Sequence, residues 1–73
     1  MTIQIVVDGP RGPVVFDVNL RMTGFDLKDL IAKHYNIPVR HIWLSFNGGI
    51  LYNDSTLIGS GVRAGDTIRC FAR

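Results

Sequence analysis

The chain has 73 residues, of which 47% are hydrophobic and 19% charged, and this composition predicts one small globular domain over residues 1–73. A net charge of +2, from eight Lys and Arg against six acids, is too small to indicate nucleic-acid binding. No apolar run is long enough to cross a bilayer, so no membrane partner is expected.

The first third of the chain predicts a β-hairpin. Apolar residues alternate with others over residues 2–8 and again over residues 14–19, which is the period of a strand with one buried face. Two glycines and two prolines lie among residues 9–13, between these segments. Such a cluster favours a tight reversal, so the two strands are predicted to be antiparallel.

A helix is predicted over residues 24–35. Thr23 and Asp26 have the spacing of a capping box, in which each side chain accepts a hydrogen bond from the other residue's backbone. Asn36 tolerates the left-handed conformation that ends helices, and Pro38 prevents continuation. The residues expected on the buried side of this helix are Leu27, Leu30, Ile31 and, at its boundary, His34.

The second half of the chain predicts three more strands. Residues 42–46 and 50–52 flank the turn sequence Asn-Gly-Gly at 47–49, and a last strand follows over 67–72. In the loop between them, Leu57 and Ile58 are expected to anchor a single helical turn. The order is ββαββ, a short turn and a closing strand. This order predicts an α+β fold of the β-grasp type, with one helix covering one face of a mixed sheet.

Side-chain alternation places a candidate site on the open face of that sheet. Leu44 and Ile68 are expected to point inward, so their neighbours along strands three and five point outward. An exposed aromatic pair with arginines at its rim has the composition of a protein-binding hot spot. An alternative is that Trp43 folds over residues 50–52 and only shields the backbone. The predicted face consists of Trp43, Ser45, Arg69, Phe71 and Arg73, with the turn at Gly48 and Gly49 beside it.

No catalytic, metal or cofactor site is predicted. Cys70, His34 and His41 are the candidates for nucleophile and base, and no motif surrounds them. Cys70 shares the parity of the inward residues and is expected to act as a small buried hydrophobe. One Cys and two His without paired spacing also do not form a zinc motif.

Several short motifs together resemble ubiquitin. They are Ile37-Pro38 after the helix, Leu44 and Phe46 before Gly48, and Thr56-Leu57 in the long loop. The resemblance runs without gaps over residues 22–73. It implies a ubiquitin-like β-grasp domain.

The same comparison shows where the chain departs from ubiquitin. Gly49 and Ala64 stand where ubiquitin has lysines that build chains, so ordinary chain formation is not expected. Ser45 stands where ubiquitin has its main recognition isoleucine, and Phe71 replaces a valine of the last strand. A standard ubiquitin-binding domain is therefore expected to meet a changed surface.

Within this family, the chain is similar to the ubiquitin-like fold that begins the silencing-defective splicing and genome-maintenance regulators. The similarity lies in Asp8-Gly9-Pro10-Arg11-Gly12, in Asn36-Ile37-Pro38-Val39, and in Asn47-Gly48. In that family a Gly-Gly-Lys motif follows the last strand, deubiquitinases cut after the glycines, and the released C-terminal part joins the spliceosome. The resemblance implies that the corresponding motif would lie just beyond Arg73.

The expected function is therefore non-enzymatic recognition by proteins. The expected partners are deubiquitinating enzymes and spliceosomal proteins, bound by a monomer. Alternatives within the fold are a non-covalent modifier of a splicing factor and a domain that docks a larger protein on the proteasome. A small RNA-binding α+β module is the alternative of another class, although direct nucleic-acid binding is not expected. The absence of a signal-peptide pattern at the start and the single cysteine predict a nuclear and cytoplasmic protein.

Overall fold

The computed structural model describes residues 2–73, so Met1, at the start of the predicted domain, lies outside the described residues. One α-helix and five strands form an α+β fold, in which the helix follows the first two strands, as the sequence predicts. The elements are β1 (Thr2–Gly9), β2 (Gly12–Asn19), α1 (Gly24–Tyr35), a 3-10 helix (Val39–His41), β3 (Ile42–Phe46), β4 (Gly49–Ile50) and β5 (Thr67–Ala72).

The strands form one mixed sheet in the order β2-β1-β5-β3-β4. β1 and β5 are parallel neighbours in the centre of the sheet. The three remaining pairs of neighbouring strands are antiparallel. The closing strand thus inserts between the two hairpins and joins them into one sheet. This topology confirms the predicted ubiquitin-like β-grasp.

Helix α1 covers one face of the sheet, and the core lies between the two layers. Ile5, Leu27 and Ile68 are fully buried there, as their positions in the alternating and helical patterns predict. Buried hydrophobic residues come from both hairpins, the helix, the long loop and β5. A chain this short draws its core from most of its length, because small domains bury a limited share of their surface.

The caps of α1 are those that the sequence predicts. The Asp26 backbone N–H donates to Thr23 Oγ1 at 3.2 Å, and the Thr23 N–H donates to the Asp26 carboxylate at 3.1 Å. Asn36 ends the helix in the left-handed region with φ 57°, and its N–H donates to the Ala32 carbonyl. Both ends of the helix are therefore fixed by local hydrogen bonds.

The boundaries of the first hairpin differ from the prediction. β1 continues to Gly9 and β2 already starts at Gly12, where the two residues pair and leave a two-residue turn at 10–11. The glycines therefore belong to the strands. Gly12 has a φ of +97°, which a residue with a side chain rarely adopts, so the tight turn requires glycine there.

The fourth strand is shorter than predicted. β4 comprises Gly49–Ile50, whereas the prediction was residues 50–52. Leu51 still donates its N–H to the Leu44 carbonyl at 3.0 Å, but its side chain is buried and the chain then leaves the sheet. The following loop packs on the start of α1, where the Phe25 N–H donates to the Asn53 carbonyl at 3.1 Å.

Two further features lie in the connections. The sequence pattern did not predict the short 3-10 helix at Val39–His41. In the long loop, the Ser60 N–H donates to the Thr56 carbonyl at 3.0 Å, which gives one helical turn of hydrogen bonding around Leu57 and Ile58. Among residues 2–73 no helix is long and apolar enough to span a membrane.

Candidate protein-binding face

The centre of the candidate face is an aromatic pair. Trp43 on β3 lies directly opposite Phe71 on β5 in the antiparallel register. Leu44 and Cys70, the next pair along, are buried, so alternation turns Trp43 and Phe71 to the open side of the sheet. Trp43 is 52% exposed and Phe71 47% exposed. Together they present a contiguous apolar surface on a rigid support.

An arginine side chain lies over each aromatic ring of this pair. The Arg73 guanidinium carbon lies 4.2 Å from the centroid of the Trp43 ring, within the range of a cation–π contact. The Arg69 guanidinium carbon lies 5.5 Å from the Phe71 centroid. The Arg73 backbone N–H also donates to the His41 carbonyl at 3.0 Å, which fixes the end of β5 against β3.

Ser45 interrupts the apolar surface beside this pair. It lies opposite Arg69 on β5 and opposite Ile50 on β4. Asp8 of β1 is the neighbour of Arg69 on its other side. Asp8 and Arg69 do not form an ion pair. The one ion pair within residues 2–73 joins Asp29 and Lys33 on the helix. The structure thus brings all five predicted residues, 43, 45, 69, 71 and 73, to one face.

An open groove of about 570 Å³ borders the aromatic pair on the β4 side. Trp43 and Phe71 line one part of it, and Ile50 and Tyr52 line another. Ile50 and Tyr52 are 70% and 62% exposed, so Trp43 does not cover them as the alternative interpretation required. Lys28, from the helix, also reaches the groove. The sequence did not assign Lys28 to the site, because its position depends on how the loop after β4 packs against α1.

The turn next to the face is shorter than the predicted turn of residues 47–49. Asn47 and Gly48 both have positive φ, 53° and 82°, and Phe46 pairs with Gly49 across them. Two central residues with positive φ define a type I′ hairpin turn. Gly49 is therefore the first residue of β4 and is not part of the turn itself.

Cys70 and His34, two of the candidates for nucleophile and base, lie outside this face. Cys70 is buried in β5, and burial raises the pKa of its thiol above the ordinary value. His34 is exposed, not at the core boundary as expected, although its ring lies 5.2 Å from that of Phe16 in an edge-to-face contact. Among residues 2–73 no cluster of three or more His, Cys, Asp or Glu could hold a metal ion.

The chain matches the family model of the ubiquitin family over residues 5–73. This match covers nearly all of both hairpins, the helix and the closing strand. No curated protein matches the sequence.

Solved structures of ubiquitin-like domains superpose closely on this one. The ubiquitin-like domain of Dsk2 from Plasmodium falciparum is 28% identical with a TM-score of 0.92, and the match covers all of both chains. The C-terminal ubiquitin-like domain of human 2'-5'-oligoadenylate synthetase-like protein is 25% identical with a TM-score of 0.90, covering 99% of this chain and 84% of that one. The ubiquitin of Caldiarchaeum subterraneum is 21% identical with a TM-score of 0.92, covering 100% of this chain and 95% of that one, and it supports the fold alone.

Proposed function

Because the chain belongs to the ubiquitin family, whose domains mediate protein interactions, we propose that it is a non-enzymatic domain recognised by proteins through its open sheet face. The observation that carries this proposal is the half-exposed cross-strand pair of Trp43 and Phe71, with a guanidinium at each ring. Aromatic and arginine side chains are the residue types that contribute most to protein-binding energy.

We further propose a role for the domain in a longer protein. The domain is the N-terminal fold of a pre-mRNA splicing regulator of the nucleus and cytoplasm, and deubiquitinases remove it by cutting after a Gly-Gly just beyond Arg73. The cleavage would release the C-terminal part to join the spliceosome. Arg73 supports this role through its position, since it directly follows β5 on the recognised face, where a following tail would extend toward a protease cleft.

Cleavage of the natural full-length precursor tests this role. Purified deubiquitinases are incubated with the precursor, and the products are identified by intact-mass measurement. The expected products are the ubiquitin-like domain ending in Gly-Gly and the remaining C-terminal part. An uncut precursor, or a cut at another position, would contradict the processing role.

A second candidate function is a docking domain that stays attached to a larger protein. The observation that favours it is the similarity to two ubiquitin-like domains that are parts of longer proteins, Dsk2 and the oligoadenylate synthetase-like protein. The same precursor experiment separates the two functions, because a docking domain remains uncut while still binding its partner through Trp43 and Phe71.

A further inference from the structure

Two depressions meet at Trp43, on the edge of the sheet next to the helix. The groove described above continues into a smaller cleft of about 250 Å³, and both are lined by Trp43, Lys28 and Asn53. We call the two together the edge channel. Its other principal residues are Tyr52 and Phe71 in the groove, and Phe25 and Arg40 in the cleft.

Exposed hydrophobic side chains are concentrated in the edge channel. Five of the seven large hydrophobic residues exposed among residues 2–73 line it, whereas Val15 and Ile58 lie elsewhere. Single exposed hydrophobic residues are ordinary, but a contiguous set bordered by polar groups marks an interaction site. The apolar surface thus extends beyond the sheet face, from Phe71 past Trp43 to Phe25.

The charges around the edge channel are mainly positive. Lys28 and Arg40 line it, and Arg73 lies over Trp43. Asp54 is the one acidic residue in the lining. The only ion pair within the described part of the chain joins Asp29 and Lys33, so the cations at the channel are free to pair with carboxylates of a partner. Complementary charges of this kind select partners and orient them.

From this combination we propose that the edge channel binds an acidic peptide segment of a partner protein, with an apolar side chain in the groove and carboxylates at Lys28 and Arg40. This inference rests on the proposed function, because it names the chemistry of the protein that the domain recognises. It enlarges the binding surface from the sheet face to the edge between β3 and α1.

The channel fits a peptide better than single-stranded RNA. RNA-binding sheets offer free aromatic faces for base stacking, but Arg73 covers one face of Trp43 and Arg69 lies over Phe71. The groove is also lined by Ile50, an exposed aliphatic side chain that cannot stack on a base as an aromatic ring does. Aliphatic lining and a mixed-charge rim are typical of protein interfaces.

Selection from a library of random 12-residue peptides displayed on phage tests the proposal with the whole domain as bait. The expected peptides carry an aromatic or aliphatic residue flanked by Asp or Glu. Titration of the best peptide into the ¹⁵N-labelled domain should shift the resonances of Phe25, Lys28, Tyr52 and the Trp43 indole. Failure to enrich peptides above a bare support, or enrichment of peptides without acids, would overturn the proposal.

Charge variants decide whether the channel contributes beyond the sheet face. The double variant Lys28→Gln/Arg40→Gln should weaken peptide binding about five-fold or more, whereas Lys33→Gln, which removes an exposed cation outside the channel, should have no effect. If Arg69→Gln, on the sheet face outside the channel, weakens binding while Lys28→Gln/Arg40→Gln does not, the sheet face binds but the channel does not.

Two controls keep the result independent of variant folding. Peptide affinity for the unchanged domain should fall as NaCl rises from 50 to 500 mM, and a peptide with Asn and Gln in place of its acids should lose this dependence.

If an octauridylate shifts the channel resonances at lower concentration than the peptide, the site binds nucleic acid. If concentrating the domain alone shifts them, a second copy is the occupant. Either result would overturn the proposal.

Discussion

At the residue scale, the orientation of Trp43 was predictable, but the contact of Arg73 with its ring was not. Strand alternation has a period of two, so one inward residue, Leu44, fixes the side of its neighbours. The long side chain of Arg73 has many rotamers, and its contact with Trp43 depends on β5 lying beside β3. Contacts of flexible side chains between segments distant in the chain therefore cannot be predicted from the sequence pattern.

The contact between Arg73 and Trp43 predicts a ring-current shift in solution. The δ protons of Arg73 should resonate upfield of their usual position, because the guanidinium carbon lies 4.2 Å from the indole centroid. Substitution Trp43→Leu should return them to the usual position, as measured by two-dimensional NMR. Arg63, which has no aromatic contact of this kind, serves as the internal reference. Unshifted Arg73 protons in the unchanged domain would contradict the contact.

Burial of Cys70 predicts a dependence of stability on alkaline pH. Because burial raises the pKa of this thiol in the folded state, the unfolded chain loses its thiol proton first as the pH rises. The contribution of the buried neutral thiol is complete below the ordinary pKa of 9.0 and declines as the pH rises through the higher folded-state pKa. Urea unfolding at pH 7 and pH 10 measures the loss in the free energy of unfolding.

Substitution Cys70→Val gives the matched control for this effect. It retains a small apolar side chain in the core and removes the ionisable group. The free energy of unfolding should decline less between pH 7 and pH 10 for Cys70→Val than for the unchanged domain. The other titrating groups are common to both proteins, so their effect cancels in the comparison. Equal declines would show that Cys70 does not contribute.

At the element scale, the helix and two strands were predicted at their observed bounds, because strong local signals mark them. Thr23 and Asn36 fix α1, and the Asn47-Gly48 turn fixes the end of β3. β4 was predicted too long, since Leu51 and Tyr52 continue the apolar pattern of a strand. Their departure from the sheet depends on the loop packing against the start of α1, which is a contact distant in sequence.

Gly24 is the residue that allows this loop to approach the helix. Its N–H donates to the Ser55 carbonyl at 2.9 Å, and a Cβ at this position would overlap the Tyr52 carbonyl. We expect Gly24→Ala to lower the free energy of unfolding by about 2 kcal/mol or more, as overpacking does in a tightly packed interior. Urea denaturation measures this loss.

Gly49→Ala is the control for the Gly24 substitution. A Cβ on Gly49 would meet only the Phe46 carbonyl oxygen, at an ordinary distance of 3.8 Å, and the residue is exposed. The free energy of unfolding should change by less than about 0.5 kcal/mol. If both variants lose the same stability, the close approach at Gly24 is not the cause.

At the scale of the whole molecule, the β-grasp was predictable because element order, turn signals and alternation agree with one another. The five residues of the candidate face followed from the same alternation. The groove and the edge channel did not, because they lie between segments that meet only in the folded chain. Lys28 of the helix and Tyr52 of the loop line the same groove as Trp43 through tertiary packing, which no local pattern encodes.

The most direct test of recognition through the sheet face is the affinity for a catalytically inactive deubiquitinase, measured by isothermal titration. Trp43→Ala and Phe71→Ala should each raise the Kd at least about ten-fold, because both remove an aromatic anchor from the centre of the face. Ile58→Ala, at a position 61% exposed outside the face and the edge channel, should leave the Kd unchanged. Melting temperatures show whether each variant is folded. Binding with the unchanged Kd by folded Trp43→Ala and Phe71→Ala variants would contradict recognition through this face.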